Sequence, residues 1–260
     1  MFWDIFATNM NNVLVVIPAR MKSTRLPEKP LHLIGTRPMI EYVYRGCKQS
    51  KLNPVVIIAT DDERIVQKCK TFIHANDQVV MTPETLQTGT DRVAWVAKDL
   101  DFDYVINVQG DEPLMNGELL DKLIETTFLC DEKTPVATLA TRCSDKEEFF
   151  GVGSVKVVLD NFGKALYFSR AGIPASRNQR EKIDFLKHLG LYGFRRDFLL
   201  NINKLKKTEM ETIESLEQLR FMGNGYGIKV AVVNAELASV DTLEDVKKAE
   251  ELLKKKGNLV

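Results

Sequence analysis

Val13-Leu14-Val15-Val16-Ile17-Pro18-Ala19-Arg20 is an apolar run with no polar break that closes on a proline and a cation. A half-exposed strand would alternate apolar and polar residues; an unbroken run is the pattern of a strand covered on both faces, as in a parallel sheet. Residues 55–60, 78–81 and 104–108 repeat the pattern, and the stretches between them, 38–50, 62–72 and 91–98, are amphipathic. Strand and helix therefore alternate, which predicts an α/β fold with a doubly wound, mostly parallel sheet. Such sheets take ligands outside the carboxyl ends of their strands, so the segments after Ile17, Ala59, Met81 and Val108 are where function is sought.

The second half changes character. Short strands are predicted at 135–141, 155–159 and 165–168, with Asp160-Asn161-Phe162-Gly163 as a hairpin turn between the last two. A run at 188–194 is expected to pair with them, forming a small antiparallel insertion. A helix is predicted over 212–221, a buried strand over 228–233 and a terminal amphipathic helix over 242–255 with Asp241 at its N-cap. Neither repeats nor linkers interrupt the chain, so 1–260 reads as one domain.

The 260 residues are 44% hydrophobic and carry 36 Lys plus Arg against 36 Asp plus Glu. A zero formal charge supplies no long-range field for nucleic acid or an anionic membrane, so any anion binding is local. Cys47, Cys69, Cys130 and Cys143 lack a C-x-x-C pair and read as reduced thiols, which suits a cytoplasmic protein. Residues 1–9 include Phe2, Trp3, Ile5 and Phe6 but also Asp4, lack a basic start and are too short to cross a bilayer. Met10 stands just before the first strand and is a candidate start of translation.

Arg20, Lys22, Arg25 and Lys29 share the loop that follows the first strand, and four cations there repel one another unless an anion joins them. A triphosphate would do so; a solvated surface loop is the alternative. The Gly-rich spacing of a Walker loop is absent. In Asn107-Val108-Gln109-Gly110-Asp111-Glu112-Pro113, Asp111 stands at the mouth of a buried strand, as a magnesium ligand or as the start of the helix from Asn116. Asp241 is open to the same two readings. Thr88-Gly89-Thr90-Asp91-Arg92 is a polar turn that suits either a nucleoside or a plain helix start. His188, Gly190 and Tyr192 alternate along a strand and so face one side. His32 and His74 are read as ordinary surface or core residues, and zinc spacing is absent.

The order of several motifs carries a resemblance. Ile17-Pro18-Ala19-Arg20 with Ser23-Thr24-Arg25-Leu26-Pro27, then Ala59-Thr60-Asp61-Asp62-Glu63, Val108-Gln109-Gly110-Asp111-Glu112-Pro113 and Val155-Lys156-Val157-Val158-Leu159-Asp160 come first. Ala165-Leu166-Tyr167-Phe168-Ser169-Arg170, His188-Leu189-Gly190-Leu191-Tyr192-Gly193-Phe194-Arg195, Leu216-Glu217-Gln218-Leu219-Arg220 and Val240-Asp241-Thr242-Leu243-Glu244-Asp245 follow. From about residue 13 to the terminal helix the chain resembles the 3-deoxy-manno-octulosonate (Kdo) cytidylyltransferase, or CMP-Kdo synthetase, family. The pattern of that family has Gly where Glu28 stands and Ser where Thr88 stands.

The resemblance implies a nucleotide-diphospho-sugar transferase-like, Rossmann-like fold in which 10–150 mainly binds CTP, 151–200 is a small-sheet dimerisation insertion and 201–260 completes the sugar and metal sites. It implies that Arg20, Arg25 and Lys29 hold the CTP phosphates and that Thr88 and Gly89 lie near the nucleoside. Asp111 and Asp241 would bind Mg²⁺ and, with Lys29, form the catalytic set. Gln109, Arg170, His188, Tyr192, Glu217 and Gln218 would receive the sugar. The implied enzyme is a homodimer that moves CMP from CTP to Kdo, releases pyrophosphate and serves lipopolysaccharide biosynthesis. A relative using 8-amino-Kdo or a nonulosonate is the nearest alternative, since only the second half meets the sugar. A nucleotide-binding regulator without catalysis is the alternative from another class; tight CTP binding with no pyrophosphate release would identify it.

Overall fold

The computed structural model describes residues 12–23, 25–175, 177, 183–235 and 237–260. Residues 1–9 and the candidate start at Met10 lie outside the described residues. In chain order the strands are β1 Val13–Ala19, β2 Leu33–Ile34, β3 Arg37–Pro38, β4 Val55–Thr60, β5 Gln78–Met81, β6 Tyr104–Asn107, β7 Val136–Cys143, β8 Lys156–Leu159, β9 Ala165–Ser169, β10 Phe185–Arg195 and β11 Ile228–Val233. The α-helices are α1 Met39–Cys47, α2 Glu63–Cys69, α3 Gly89–Ala97, α4 Gly117–Thr127, α5 Lys146–Phe150, α6 Arg196–Leu199, α7 Glu209–Glu214, α8 Gln218–Gly223 and α9 Leu243–Lys255.

All seven residues of β1 are buried, as an apolar run without alternation requires. Its side chains still divide by the two-residue period of a strand. Val13, Val15 and Ile17 join a core with α1, α2, α4 and α9, whereas Leu14 and Val16 join a second core with α3, α6 and α8. Two helical layers on one sheet are what double winding means, and the strand order β11-β7-β10-β6-β1-β4-β5 delivers it. β1 pairs in parallel with β4 and β6, β4 with β5, and β11 with β7. Consequently Ala19, Thr60, Met81, Asn107, Cys143 and Val233 all end at one sheet edge.

β10 runs against its neighbours, antiparallel to both β6 and β7. Here the expectation is corrected: the strand assigned to a small insertion is longer than 188–194 and stands in the centre of the main sheet. The reason is burial, since Leu189, Leu191 and Phe194 need cover on both faces and the middle of the sheet supplies it. The β8–β9 hairpin hangs on its start through Leu186 opposite Val157. Its turn forms as the sequence predicts, with Asp160 Oδ1 accepting from the amides of Phe162 and Lys164 and Gly163 at φ 76°. The hairpin's apolar side chains do not all project outward, however. Val157 and Phe168 are buried in the core of their own chain; Leu166 and Phe162 are exposed.

Two further boundaries differ from expectation. The helix over 212–221 is broken into α7 and α8 by Ser215 at φ 52°, a left-handed conformation that ends the first helix and re-aims the chain. The cap of α9 is Thr242, whose hydroxyl accepts from Asp245 N while the Asp245 carboxylate accepts from Thr242 N, a complete capping box. Asp241, one residue earlier, is thereby released from capping.

α1 and α4 meet almost backbone to backbone. A Cβ on Gly46 would lie 2.1 Å from the Met115 carbonyl oxygen, and one on Gly117 would lie 2.2 Å from that of Gln49. Neither clash is with a flexible side chain, so backbone must move. Gly46→Ala is expected to cost about 1–3 kcal/mol of stability, read as a lower urea midpoint at unchanged slope.

Candidate active site

Beyond Ala19 the chain leaves the sheet edge and passes Lys22 and Arg25 to a single 3₁₀ turn, Lys29–Leu31. The turn is entered through Glu28 at φ 53°, where a side chain is strained and a glycine is not. Arg64 holds that residue by an ion pair of 2.5 Å. This entry aims Lys29 back at the sheet edge, where its ammonium donates to Asp111 Oδ2 at 2.6 Å and to Asp241 Oδ1 at 2.9 Å. Arg25 pairs with the other Asp241 oxygen at 2.9 Å. Burial disfavours the Lys29 charge, but the Coulombic pull and hydrogen bonds of Asp111 and Asp241 outweigh it and raise the pKa above the usual lysine value.

Neither acid is occupied as a helix cap. Asn116 caps α4, its side chain accepting from Leu119 N, and Thr242 caps α9. Two carboxylates that converge on one cationic nitrogen form a site where a cation belongs. Among the described residues no group of three or more His, Cys, Asp or Glu side chains is arranged to hold a metal. Magnesium needs only one or two protein carboxylates and takes its remaining oxygens from phosphate and water, so the chemistry of this pair fits it.

Around this triad lies a cavity of about 820 Å³ lined by Arg20, Lys22, Arg25, Lys29, Thr88, Gly89, Gln109, Asp111 and Asp241, among others. The loop cations and the two acids thus line one cavity, with Arg25 and Lys29 in direct contact with the acids. Arg20 reaches the Gln87 carbonyl only at 3.5 Å, and Lys22 contacts Glu84 at the rim. Thr88 caps α3 in a capping box with Asp91, so its hydroxyl is already engaged there. Gly89 admits Gln109: a Cβ would stand 3.2 Å from Gln109 Oε1. Gln109 in turn donates to Asn107 Oδ1 at 2.8 Å, leaving Asn107 Nδ2 buried without a hydrogen-bond partner.

The remaining predicted residues lie off this lining, on the face of the sheet shared with α3 and α8. His188 and Tyr192 do face one side, with ring centroids 5.4 Å apart. Burial pushes the His188 imidazole down to about 3, and burial first, then the nearby Glu217 carboxylate, raises the Tyr192 phenol. Thr90, in the first turn of α3, donates to Glu217 Oε2 and so joins this group to the cavity wall. Burial, more than any neighbour, raises the Glu217 carboxyl pKa. Among the described residues Gln218 Nε2 is buried without a partner.

Arg170 is differently placed. Its guanidinium donates to the carbonyls of Glu214 and Val152, both at 2.8 Å, and its amide donates to the Glu214 carboxylate. Its own carbonyl accepts from Lys156, a buried ammonium that also donates to Gly151 O and Ser154 O, at 2.7 to 2.8 Å throughout. These bonds tie the loop at 151–154 to the turn that precedes Glu217.

The sequence reading passed over Arg92. It is nearly fully buried, lines the cavity, and donates to Asp61 at 2.8 Å and to Thr82, joining the ends of β4 and β5 to α3. Only its place beside the Thr88–Asp91 turn hinted at this, since an arginine on a helix ordinarily reads as exposed. A second cavity of about 840 Å³, bounded by Arg142, Glu148 and Lys187, lies at the same sheet edge. It gathers none of the predicted residues, and Lys187 is already paired with Glu148 at 2.7 Å.

The comparisons with known proteins bear on the same site. A family model described as Cytidylyltransferase matches residues 14–233. A protein named 3-deoxy-manno-octulosonate cytidylyltransferase from Fusobacterium nucleatum is 44% identical over 234 residues, covering 90% of this chain and 93% of its own. Its namesake from Chloroherpeton thalassium is 42% identical over 245 residues, 94% of this chain and 98% of its own. A solved CMP:2-keto-3-deoxy-manno-octonic acid synthetase complexed with CTP superposes with a TM-score of 0.86 at 39% identity, covering 95% of this chain and all of that one. At 17% identity, the 4-diphosphocytidyl-2C-methyl-D-erythritol synthase of Anaerococcus prevotii, TM-score 0.64, shares the fold over 96% of this chain and 99% of its own.

Removing Arg92 strands the largely covered Asp61 charge, whose side chain is 11% exposed. Arg92→Met is expected to cost about 3–5 kcal/mol, seen in urea unfolding, and Arg92→Lys less, because one of the two contacts survives.

Proposed function

Because the chain belongs to the cytidylyltransferase family, within it to the 3-deoxy-manno-octulosonate cytidylyltransferases, we propose that it transfers CMP from CTP to Kdo, yielding CMP-Kdo and pyrophosphate. The observation that carries the reading is the convergence of Asp111 and Asp241 on Lys29 at the mouth of a cavity walled by Arg20, Lys22 and Arg25. Cations and carboxylates lining one cleft suit a substrate that brings both phosphates and counter-cations.

The anomeric hydroxyl oxygen of Kdo attacks the α-phosphorus of CTP. A new phosphorus–oxygen bond forms, the α–β bridging bond breaks, pyrophosphate leaves with the bond electrons, and the hydroxyl proton passes to solvent. Arg20, Arg25 and Lys29 neutralise the phosphate oxygens, with the arginine forks positioning them and Lys29 acting as a point charge. Asp111 and Asp241 would hold a magnesium ion, which would supply positive charge toward the phosphates and favour ionisation of the attacking hydroxyl. Thr88 and Gly89 bound the nucleoside end. Gln109, Arg170, His188, Tyr192, Glu217 and Gln218 receive the sugar; Arg170 does so while anchored by backbone carbonyls, and Gln218 with a buried amide free to donate. Alignment, not a dedicated general base, lowers the barrier.

The proposal extends to a Mg²⁺-dependent cytoplasmic homodimer in lipopolysaccharide biosynthesis. Among the described residues no helix is long and apolar enough to cross a membrane. The dimer is supported by exposed Phe162 and Leu166 on the β8–β9 hairpin, a pair of apolar side chains that the chain itself leaves uncovered.

Three measurements test this. With Mg²⁺ present, pyrophosphate release is expected from CTP with Kdo, and not from ATP, GTP or UTP; release only with 8-amino-Kdo or a nonulosonate would reassign the sugar. Asp111→Asn and Asp241→Asn are each expected to lower turnover by about 10³-fold or more with unfolding midpoints preserved, and near-normal turnover in either variant would remove the metal assignment. In light scattering over a dilution series, a dimer mass is expected for the parent and a shift toward monomer for Leu166→Asp. A fully active monomer at every concentration contradicts the dimer.

A further inference from the structure

Thr138 lies fully buried in β7 behind His188, where its hydroxyl meets three polar atoms. Leu191 O is 2.6 Å away, Leu189 O 3.2 Å and His188 Nε2 2.9 Å. A bulge brings them together. The β10–β7 register jumps between Leu189 and Tyr192, taking Gly190 and Leu191 out of the ladder and turning the Leu191 carbonyl onto Thr138.

A hydroxyl has one proton. Carbonyl oxygens only accept, so were that proton given to the imidazole, the Thr138 and Leu191 oxygens would face each other at 2.6 Å with nothing between them. The proton therefore goes to Leu191 O, and the contact with His188 holds only if Nε2 is the donor. We infer that Thr138 is a positioning residue: it fixes His188 as the neutral Nε2–H tautomer, so that the Nδ1 lone pair is presented as an acceptor to a hydroxyl of the acidic sugar. This rests on the reading of His188 as a sugar-side residue.

Three observations agree. Burial keeps the ring uncharged, and an uncharged imidazole has one donor and one acceptor nitrogen. Phe168 and Tyr192, with centroids 5.0 and 5.4 Å from the ring, leave it little freedom to turn over. Two residues along β10 from His188, Gly190 borders open space, since a Cβ there would meet nothing within 4 Å. Among the described residues Nδ1 takes part in no hydrogen bond.

Nitrogen NMR of ring-¹⁵N-histidine protein, assigned with His188→Gln, reads the tautomer directly, because the chain has three histidines. The expected wild-type spectrum has Nε2 protonated and Nδ1 bare. In Thr138→Val, which keeps the branched shape, both tautomers are expected and the KM for Kdo rises about tenfold, the loss of one oriented hydrogen bond, at unchanged KM for CTP. Thr138→Ser should restore spectrum and KM together. An Nδ1–H wild type overturns the assignment, as does a Thr138→Val protein with the parental spectrum and Kdo KM. Equal rises in both KM values would reduce Thr138 to a packing residue. Absence of turnover with Kdo in the wild type would sink the functional reading alone, because the nitrogen spectrum is recorded without substrate.

Discussion

One ammonium between two carboxylates organises this molecule. Lys29, Asp111 and Asp241 come from a loop after β1, the loop after β6 and the approach to α9, separated by 82 and 212 residues along the chain. A half-buried lysine facing no acid would shed its charge, and two facing carboxylates without a cation would repel. Each group therefore makes the others tolerable, and the parts of the fold that carry them are drawn to one sheet edge. Arg25 covers one further Asp241 oxygen, and the adjacent cavity is lined by Arg20, Lys22, Arg25, Lys29 and Arg92 against Asp111 and Asp241, an excess of cations. Anion binding in a protein of zero formal charge depends on that local asymmetry.

The parallel half of the fold was legible because its signal is local. Unbroken apolar runs in β1 and β4 and the amphipathic stretches between them announce buried strands and covering helices within windows of a few residues. Capping chemistry was also on the page: the Thr242–Asp245 box is a stronger signal than Asp241 alone, and reading it would have released Asp241 from its structural duty from the start. What stayed hidden is long-range. The apolar residues of β10 reveal burial but not partners, so its place between β6 and β7 could not be read from spacing. The apolar rhythm of 212–221 continues across Ser215, although the backbone there is left-handed.

The site divides in the same way. Cations in one loop and acids at strand ends are conspicuous by type, and the structure brings Arg20, Arg25, Lys29, Gln109, Asp111 and Asp241 around one cavity. The residues proposed to receive the sugar are instead legible only through the order of their motifs, because each is held by neighbours of unremarkable type. Arg170 and Lys156 engage backbone carbonyls, which leave no trace in composition. Arg92 is invisible for a related reason: its partners Asp61 and Thr82 follow two other strands.

β10 has a consequence for how the chain is made. It inserts between β6 and β7 after both have been synthesised, so that Tyr192 must find Asn107 and Thr138 together. Until then β6 is an open edge of the β6-β1-β4-β5 sheet, and β7, whose ladders among the described residues are with β10 and β11, has neither of its partner strands. Capturing β10 closes loops of many residues, an entropy cost that weighs on such non-local pairing. A polypeptide released early would expose two sticky strand edges. The long antiparallel match along β7 rewards the capture of β10 and takes those edges out of reach of a second copy.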